Sequence, residues 1–358
     1  MKKVSKVSIG LAGCGIYGRG LMGFFNRMPE YTVAAIAEPR KEEYEKCIAE
    51  IYKTGQTPEY YATAEEMTEK AAAGDNRIEA VLLATPNWQH TAQSIQAMRK
   101  GLALYVEKPV ACTLRECGEI AAVQKETGAK LMVGMQQRYS AIAVQTKKII
   151  DDGVIGKPIL LWYREFRTPF NPGADGWRLS NEKSGGAIVE KHVHTLDIFN
   201  WYTGANPVAV MAMGGSDVIG GDTGALDNAV ILVEYDSGAK GTIGMSLFSG
   251  GGDNTDFYIA GERGTLKHEN GRIILMPNDA KGKTVVYEVN QQFSDIGHGG
   301  TEYGALKAFH EYLTENKPPL TGINEGLMSV AMAIAAQISI AEKRLVKISE
   351  ILACTEVK

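Results

Sequence analysis

Short apolar runs alternate with segments of helical periodicity along the first third of the chain. Residues 7–12, 33–37, 80–84, 103–106 and 130–134 are apolar stretches of strand length. Between them, the spacing of apolar positions predicts helices over 15–27, 41–52, 64–73, 90–100 and 114–127. Strands separated by helices predict a doubly wound parallel sheet with right-handed crossovers, and strands apolar on both faces suit a sheet covered on both sides. After residue 134 the texture changes. A helix over 141–152 ends at Gly153 and Gly156, and Pro158 bars its continuation. Strand-like runs then dominate, at 159–166, 208–213, 228–235, 240–246, 257–260, 272–276 and 284–289. Asp236-Ser237-Gly238 and Gly261-Glu262-Arg263-Gly264 carry the chemistry of hairpin turns. These runs predict a large open, mainly antiparallel sheet, interrupted near its start by one helix over 185–202. Helices over 303–316 and 325–343, divided by Pro318-Pro319, follow; the second is apolar and Ala-rich over 327–340 and is expected to be packed. The predicted organisation is an α/β domain over 1–135, an α+β domain over 136–302, and C-terminal helices over 303–358 that pack back on both.

Composition narrows the class. A chain of 358 residues, 44% hydrophobic and 22% charged, is that of a globular protein of two domains. The net charge of -4, without a basic cluster, argues against a nucleic-acid partner. The cysteines (Cys14, Cys47, Cys112, Cys117, Cys354) are scattered, odd in number and without metal-ligand spacing, so a reduced, cytoplasmic protein with no metal site is expected. Met1-Lys2-Lys3 followed by Leu11-Ala12-Gly13-Cys14 superficially looks like a lipoprotein leader. Its apolar stretch Val7-Ser8-Ile9-Gly10-Leu11 is too short, a leader needing roughly 7–15 apolar residues. No later run is expected to span a membrane.

The strongest chemistry lies at strand ends. Gly13-Cys14-Gly15-Ile16-Tyr17-Gly18 follows the first strand and opens the first helix. Gly13 permits the tight turn, Gly15 lets backbone approach a pyrophosphate, and Gly18 lets helix pack on strand, which is the dinucleotide fingerprint of a Rossmann domain. The helix start at Ile16 and Tyr17 offers free N–H groups and a partial positive charge to the phosphates. Glu38 ends the second strand, where an acid accepts ribose hydroxyls and repels a 2′-phosphate, favouring NAD over NADP. Arg40 can reach a phosphate and leaves NADP open. Ala84-Thr85-Pro86-Asn87 and Glu107-Lys108-Pro109 both stop at proline, which forces extended geometry on the residue before it. Ligands of open parallel sheets bind beyond the carboxyl ends of the strands. The glycines, Glu38, Thr85 with Asn87, and Lys108 are therefore expected to face one crevice.

With these residues in hand the chain resembles the Gfo/Idh/MocA oxidoreductases. The resemblance rests on Gly13 to Gly18, Thr85-Pro86-Asn87 with His90, Glu107-Lys108-Pro109, the segment 184–201, and the domain order. It implies a nicotinamide cofactor held by Gly13, Gly15, Ile16, Tyr17, Gly18, Glu38, Arg40, Thr85, Pro86, Asn87, His90, Glu107 and Lys108. Family members carry Gly-Gly-Gly, then Asp, Gly, His and Asp along the helix beside the nicotinamide. Here the run reads Gly185-Gly186-Ala187-Ile188-Val189-Glu190-Lys191-His192-Val193-His194-Thr195-Leu196-Asp197. Glu190 stands where Asp is usual and His192 where Gly is usual, while His194 and Asp197 match. The resemblance also implies that Gln137 and Arg138, after the last Rossmann strand, contribute to the pocket.

Glu190 and His194 are one helical turn apart and share a face, with Asp197 adjacent, whereas His192 is rotated about 200° from His194. Oxidising a secondary alcohol needs a base for the hydroxyl proton, and histidine, with an ordinary pKa of about 6.5, suits that task near neutral pH. His194 is expected to accept the proton, Glu190 to tune it or bind a neighbouring hydroxyl, and Lys108 to hold the reacting oxygen over the nicotinamide. A purely structural hydrogen-bonded face is the competing reading. Arg164 and Trp177, with Arg167 nearby, suit a sugar ring or sugar acid, although surface ion pairs explain the arginines equally well. His298 is either a pocket-lining loop residue or part of a simple turn.

Three functions follow. The leading one is an NAD(P)-dependent dehydrogenase of a sugar, sugar acid or cyclitol. The second is an NAD-dependent glycoside hydrolase that oxidises a sugar carbon transiently and cleaves by elimination. The third is a non-catalytic dinucleotide-binding sensor, against which Lys108 and His194 speak. Sheets of this kind commonly pair between subunits in the family, and a face as apolar as 228–235 and 240–246 suggest needs covering, so a homodimer or homotetramer is expected.

Overall fold

The apolar runs of the first third become one parallel sheet. The computed structural model describes residues 5–51, 55, 57–74, 77–219, 225–250, 254–279 and 281–353. Met1, Lys2, Lys3 and Cys354, which entered the sequence reading, lie outside them. The chain runs β1 (Val7–Ala12), α1 (Ile16–Phe25), β2 (Tyr31–Ala37), α2 (Lys41–Ile51), β3 (Glu59–Tyr61), α3 (Ala64–Ala72), β4 (Ala80–Leu83), α4 (His90–Arg99), β5 (Ala103–Glu107), α5 (Leu114–Thr127) and β6 (Leu131–Gly134). Sheet order is β3-β2-β1-β4-β5-β6, with every pairing parallel. The order reverses between β1 and β4, which is where such sheets open a ligand crevice. β3 was not foreseen. It is three residues long, polar at its start, and exists through parallel pairing with Ala35, Ile36 and Ala37 rather than through a pattern of its own.

Two compact units emerge. The first comprises residues 1–111, 115–139 and 292–327; the second comprises 112–114, 140–291 and 328–358. In the second, α6 (Ala141–Asp151), β7 (Pro158–Phe166), α7 (Asn181–Ser184) and α8 (Ala187–Thr203) precede β8 (Pro207–Gly215), β9 (Asn228–Tyr235), β10 (Lys240–Ser246), β11 (Asn254–Gly261), β12 (Gly264–Glu269), β13 (Arg272–Pro277) and β14 (Val285–Glu288). α9 (Thr301–Glu315) and α10 (Ile323–Glu342) follow, then β15 (Val346–Lys347) and α11 (Ile348–Leu352).

α9 belongs to the first unit and fills its core: Ala305, Leu306 and Phe309 pack with Leu11, Tyr31 and Tyr105. The Tyr31 hydroxyl donates to the Leu306 carbonyl at 2.6 Å. Thr321 Oγ1 donates to the Val133 carbonyl at 2.8 Å, tying the segment after α9 to β6.

The second unit is a nine-stranded sheet of order β14-β13-β12-β11-β7-β10-β9-β8-β15. Its pairings are antiparallel except β7 with β10, which run parallel because α8 and two further strands intervene in the chain. Strand alternation sorts the side chains. Leu161, Tyr163 and Glu165 face α8: the Tyr163 ring lies edge-on to His192, and Lys191 Nζ bonds Glu165 at 2.9 Å. Gly241 makes room for Phe199, whose Cδ2 would lie 2.6 Å from a Cβ there. Trp162, Leu232 and Met211 align across the opposite face and are exposed. β12 and β15 were missed, the first because its Thr, Lys and His positions dilute the apolar alternation, the second because it is two residues long.

One expectation is corrected. α10 is long and apolar enough to cross a membrane by length and composition, although no such run was expected. More than half of its apolar stretch is buried within the protein, and Val330 to Ala333, Ala335 and Ala336 are fully buried, as for a core helix. Ser339 Oγ accepts the Ala212 N–H at 2.8 Å and anchors its C-terminal end to β8.

Two core histidines make the fold acid-sensitive. Burial pushes His268 and His192 down to about 4 from an ordinary 6.5. The unfolded chain therefore binds more protons between those pH values, and stability is lost as pH falls from 6.5 to 4. The loss is up to about 3 kcal/mol for one histidine. Urea unfolding at stepped pH should show this slope, and His268→Gln should flatten it; an unchanged slope in the variant contradicts the assignment.

Candidate active site

At the end of β1 the chain turns through Gly13 at φ 93°, a left-handed conformation that glycine adopts freely. A Cβ there would lie 2.5 Å from the Ala84 carbonyl oxygen, so β4 sets how tightly the turn is closed. At Gly18 a Cβ would lie 2.0 Å from the Gly13 carbonyl oxygen, so only glycine lets α1 pack against the loop that precedes it. Gly13 N–H donates to the Ala37 carbonyl at 2.9 Å, and Cys14 N–H donates to Glu38 Oε2 at 2.8 Å. The loop is thus fastened to the end of β2 by backbone and by carboxylate.

These features fit a dinucleotide. α1 starts at Gly15 with no side-chain cap and no acid in its first turn, which leaves its first N–H groups and positive dipole end to an anion. A Cβ on Gly15 would meet nothing within 4 Å, and Ile16 beside it is 68% exposed, so backbone and an apolar side chain line the approach. Glu38 is buried, and its Oε1 accepts from Arg40 N–H at 3.1 Å and Arg40 Nε at 2.9 Å. Arg40 is therefore paired with Glu38, the acid expected at the ribose.

The next two strand ends are held by one histidine. His90 is fully buried, with Nδ1 2.8 Å from the Pro109 carbonyl and Nε2 3.0 Å from the Thr85 carbonyl. It was expected among the cofactor ligands. Its ring bridges the loops after β4 and β5 through the Thr85 and Pro109 carbonyls. Thr85 Oγ1 donates to Gln93 at 2.7 Å, and Asn87 is buried. Lys108 is half-buried, its N–H donating to Glu107 Oε2 at 3.3 Å.

Beyond β6 the expected pocket residues divide. Gln137 is half-buried. Arg138 is buried and donates to the Leu320 carbonyl at 3.1 Å. Gln136, which the sequence reading passed over, carries a buried Oε1 without a hydrogen-bond partner. Only its place directly after the last strand could have flagged it. His298 is exposed; its Nδ1 lies 2.6 Å from Glu302 Oε1, and its ring stands 5.5 Å from that of Tyr17 in the glycine loop.

The second unit carries the other candidates. Gly185 and Gly186, at φ 82° and 90°, bend the chain into α8, and Gln337 Nε2 donates to the Gly185 carbonyl at 2.9 Å. Along α8, Glu190, His194 and Asp197 are all buried. Glu190 Oε1 lies 3.3 Å from Arg178 Nε, and the Arg178 guanidinium stacks 5.2 Å from the Trp177 ring centroid. Arg178 was missed, because nothing in the spacing from residue 178 to 190 shows that the two meet. Trp177 is half-buried over Gly173. Asp197 lies near Tyr235, whose hydroxyl is raised well above its usual range by burial and then by that charge. Strand alternation puts Arg164 on the sheet face away from α8, where it pairs with Asp256 at 2.5 Å. Among the described residues no group of three or more His, Cys, Asp or Glu is placed to hold a metal ion.

Comparison with known proteins decides the family. The model described as "Oxidoreductase family, NAD-binding Rossmann fold" matches residues 7–135, and "Oxidoreductase family, C-terminal alpha/beta domain" matches residues 147–348. The chain belongs to the Gfo/Idh/MocA oxidoreductases. Its N-terminal unit is the family's NAD-binding Rossmann fold. The scyllo-inositol 2-dehydrogenase (NAD(+)) of Bacillus subtilis is 26% identical over 90% of this chain and 92% of its own length. A 2,7-anhydro-N-acetylneuraminate hydratase of Mediterraneibacter gnavus is 28% identical over 77% of this chain and 82% of its own. The crystal structure of an NAD binding oxidoreductase from Klebsiella pneumoniae has the same fold, with TM-score 0.81 at 22% identity over 96% of this chain and 99% of that one.

Glu38→Ala removes both the ribose acceptor and the acceptor for Cys14 N–H. It should weaken NAD+ binding by about 10-fold or more in a titration and narrow any preference over NADP+. Unchanged affinity contradicts the site.

Proposed function

We propose that this Gfo/Idh/MocA protein transfers hydride between NAD and a secondary alcohol or carbonyl of a sugar, sugar acid or cyclitol. The observation that carries the reading is an NAD-binding unit with its glycine loop, Glu38 and Lys108 all in place, in a chain similar over most of its length to an inositol dehydrogenase. Bound NAD supplies the hydride acceptor or donor. The N–H groups at Gly15, Ile16 and Tyr17 hold its phosphates, and Glu38 holds the ribose. His194 accepts the hydroxyl proton, Lys108 holds the reacting oxygen and stabilises developing alkoxide, and Glu190, charge-paired with Arg178, sets the polarity beside His194. Gln137, Trp177, Asp197 and His298 remain the proposed substrate-side residues. NAD is preferred to NADP because Arg40 is engaged by Glu38.

The four cysteines among the described residues are buried and joined in no disulfide, which supports a reducing, cytoplasmic setting. The apolar row of Trp162, Leu232 and Met211 supports a homodimer or homotetramer formed through that sheet face. Light scattering at micromolar concentration should give the assembly; a monomer alone contradicts it.

Purified protein with NAD+ or NADP+ and a panel of inositols, aldoses and sugar acids should generate reduced-nicotinamide absorbance. Lys108→Met and His194→Ala should each lower turnover by at least about 100-fold. Near-normal turnover in either variant contradicts its role. The hydratase among the relatives, and Glu190 and His192 at altered positions, favour a second reading, transient oxidation followed by elimination on a glycoside. NAD-dependent cleavage of glycosides without net NADH selects it.

A further inference from the structure

Glu107, the last residue of β5, is buried between elements that bring several ionisable groups to it. Its Oε1 would lie 2.6 Å from a Cβ on Gly134, so the carboxyl lies directly over the end of β6. Oε2 accepts the Lys108 N–H, while Oε1 has no hydrogen-bond partner. Facing it are Tyr17 from α1, Tyr105 from its own strand, Lys108 beside it and Glu302 from α9. The Tyr17 and Tyr105 hydroxyls are buried beside the Glu107 carboxyl and interact with it. Burial pushes the Glu107 carboxyl up to about 8; Tyr17 and the Lys108 ammonium pull it down, and the Glu302 charge raises it.

The same cluster reaches solvent. The Tyr17 ring stands 5.5 Å from that of His298, which is 65% exposed and bonds Glu302 at 2.6 Å. Glu302 is held below the usual carboxylate range: burial opposes this, and the bond from His298 outweighs it. A buried carboxyl, a buried phenol and an exposed imidazole–carboxylate pair therefore follow one another within the first unit.

The position matters because of how dinucleotides lie on this fold. Glu38 and the glycine loop take the adenosine half and the diphosphate, which leaves the nicotinamide half to β4, β5 and β6. A carboxyl at the end of β5 would therefore lie beside a bound ring that is cationic in NAD+ and neutral in NADH. A cation nearby favours a carboxylate, and its loss favours the acid.

We propose that Glu107 is a proton store coupled to the cofactor's oxidation state, exchanging its proton with solvent through the Tyr17 hydroxyl and the His298–Glu302 pair. The proposal rests on the hydride-transfer reading. Oxidation of a carbinol breaks its C–H bond, the hydride reducing the nicotinamide, and its O–H bond, releasing a proton. Glu107 would be ionised beside NAD+ and take up one proton from solvent through Tyr17 as the cationic charge is lost, while the carbinol proton passes to His194, so the charge around Glu107 stays balanced. The proton leaves to solvent as NADH is exchanged for NAD+.

The test needs no substrate. Calorimetric titration of NAD+ near neutral pH, in buffers of different ionisation enthalpy, should show protons released on binding, while NADH binding releases none. Glu107→Gln, which keeps the shape of the protonated side chain, should abolish the release at saturating cofactor, whatever its effect on affinity. Tyr17→Phe should retain the release at equilibrium and slow it in stopped flow with a pH indicator. Proton-neutral NAD+ binding in the unmodified protein overturns the proposal. So does release that persists in Glu107→Gln but disappears in His298→Asn, or a Tyr17→Phe protein that releases its proton at the normal rate. Because only cofactor is added, absence of turnover on every polyol would sink the hydride-transfer reading and leave this result readable by itself.

Discussion

The Glu38 carboxylate that accepts the Cys14 N–H is the contact on which the cofactor site depends. A glycine-rich turn has the most backbone freedom of any loop, and that freedom must be removed before a helix start can hold a diphosphate. Here three neighbours remove it: the Ala37 carbonyl and Glu38 from β2, and the Ala84 backbone, which leaves no room for a side chain at Gly13. One residue thus does two things. Glu38 holds the loop through one oxygen and stands at the strand end, where it is proposed to accept the ribose hydroxyls. Arg40, bound to the other oxygen, keeps that carboxylate from standing as an isolated buried charge.

A second constraint governs the nicotinamide half. His90 bonds carbonyls on the loops after both β4 and β5, so Thr85 and Lys108 are placed by the same ring. Buried backbone carbonyls need partners, and His90 at the start of α4 brings one ring nitrogen within hydrogen-bond distance of each where no strand can, its single N–H in the neutral ring donating to one of them. Strand order, the clasp and the glycine turn together convert six parallel strand ends into a site whose polar groups are fixed before any ligand arrives.

Much of this was legible in the sequence because local physics encodes it. The fingerprint from Gly13 to Gly18, the acid at the end of β2 and the prolines after β4 and β5 are each readable within a few residues. The strands of the parallel sheet were visible because burial on both faces makes them continuously apolar. What escaped depends on tertiary pairing. β3 and β15 are too short to show a period, and the partnership of Arg178 with Glu190 bridges a turn that no periodicity describes. The sheet face that Arg164 occupies was not legible, because face assignment in a strand depends on register, and a one-residue step exchanges the helix side for the outer side. His90 was recognised as significant, but a residue type alone does not tell a ligand from a clasp.

The most direct test of the central claim is the crystal structure of the NAD+ complex. The account predicts the diphosphate on the N–H groups that open α1, the adenosine ribose hydroxyls on Glu38, and the nicotinamide over the ends of β4 and β5. A dinucleotide bound elsewhere, or in this crevice with Glu38 turned away from the ribose, would contradict it.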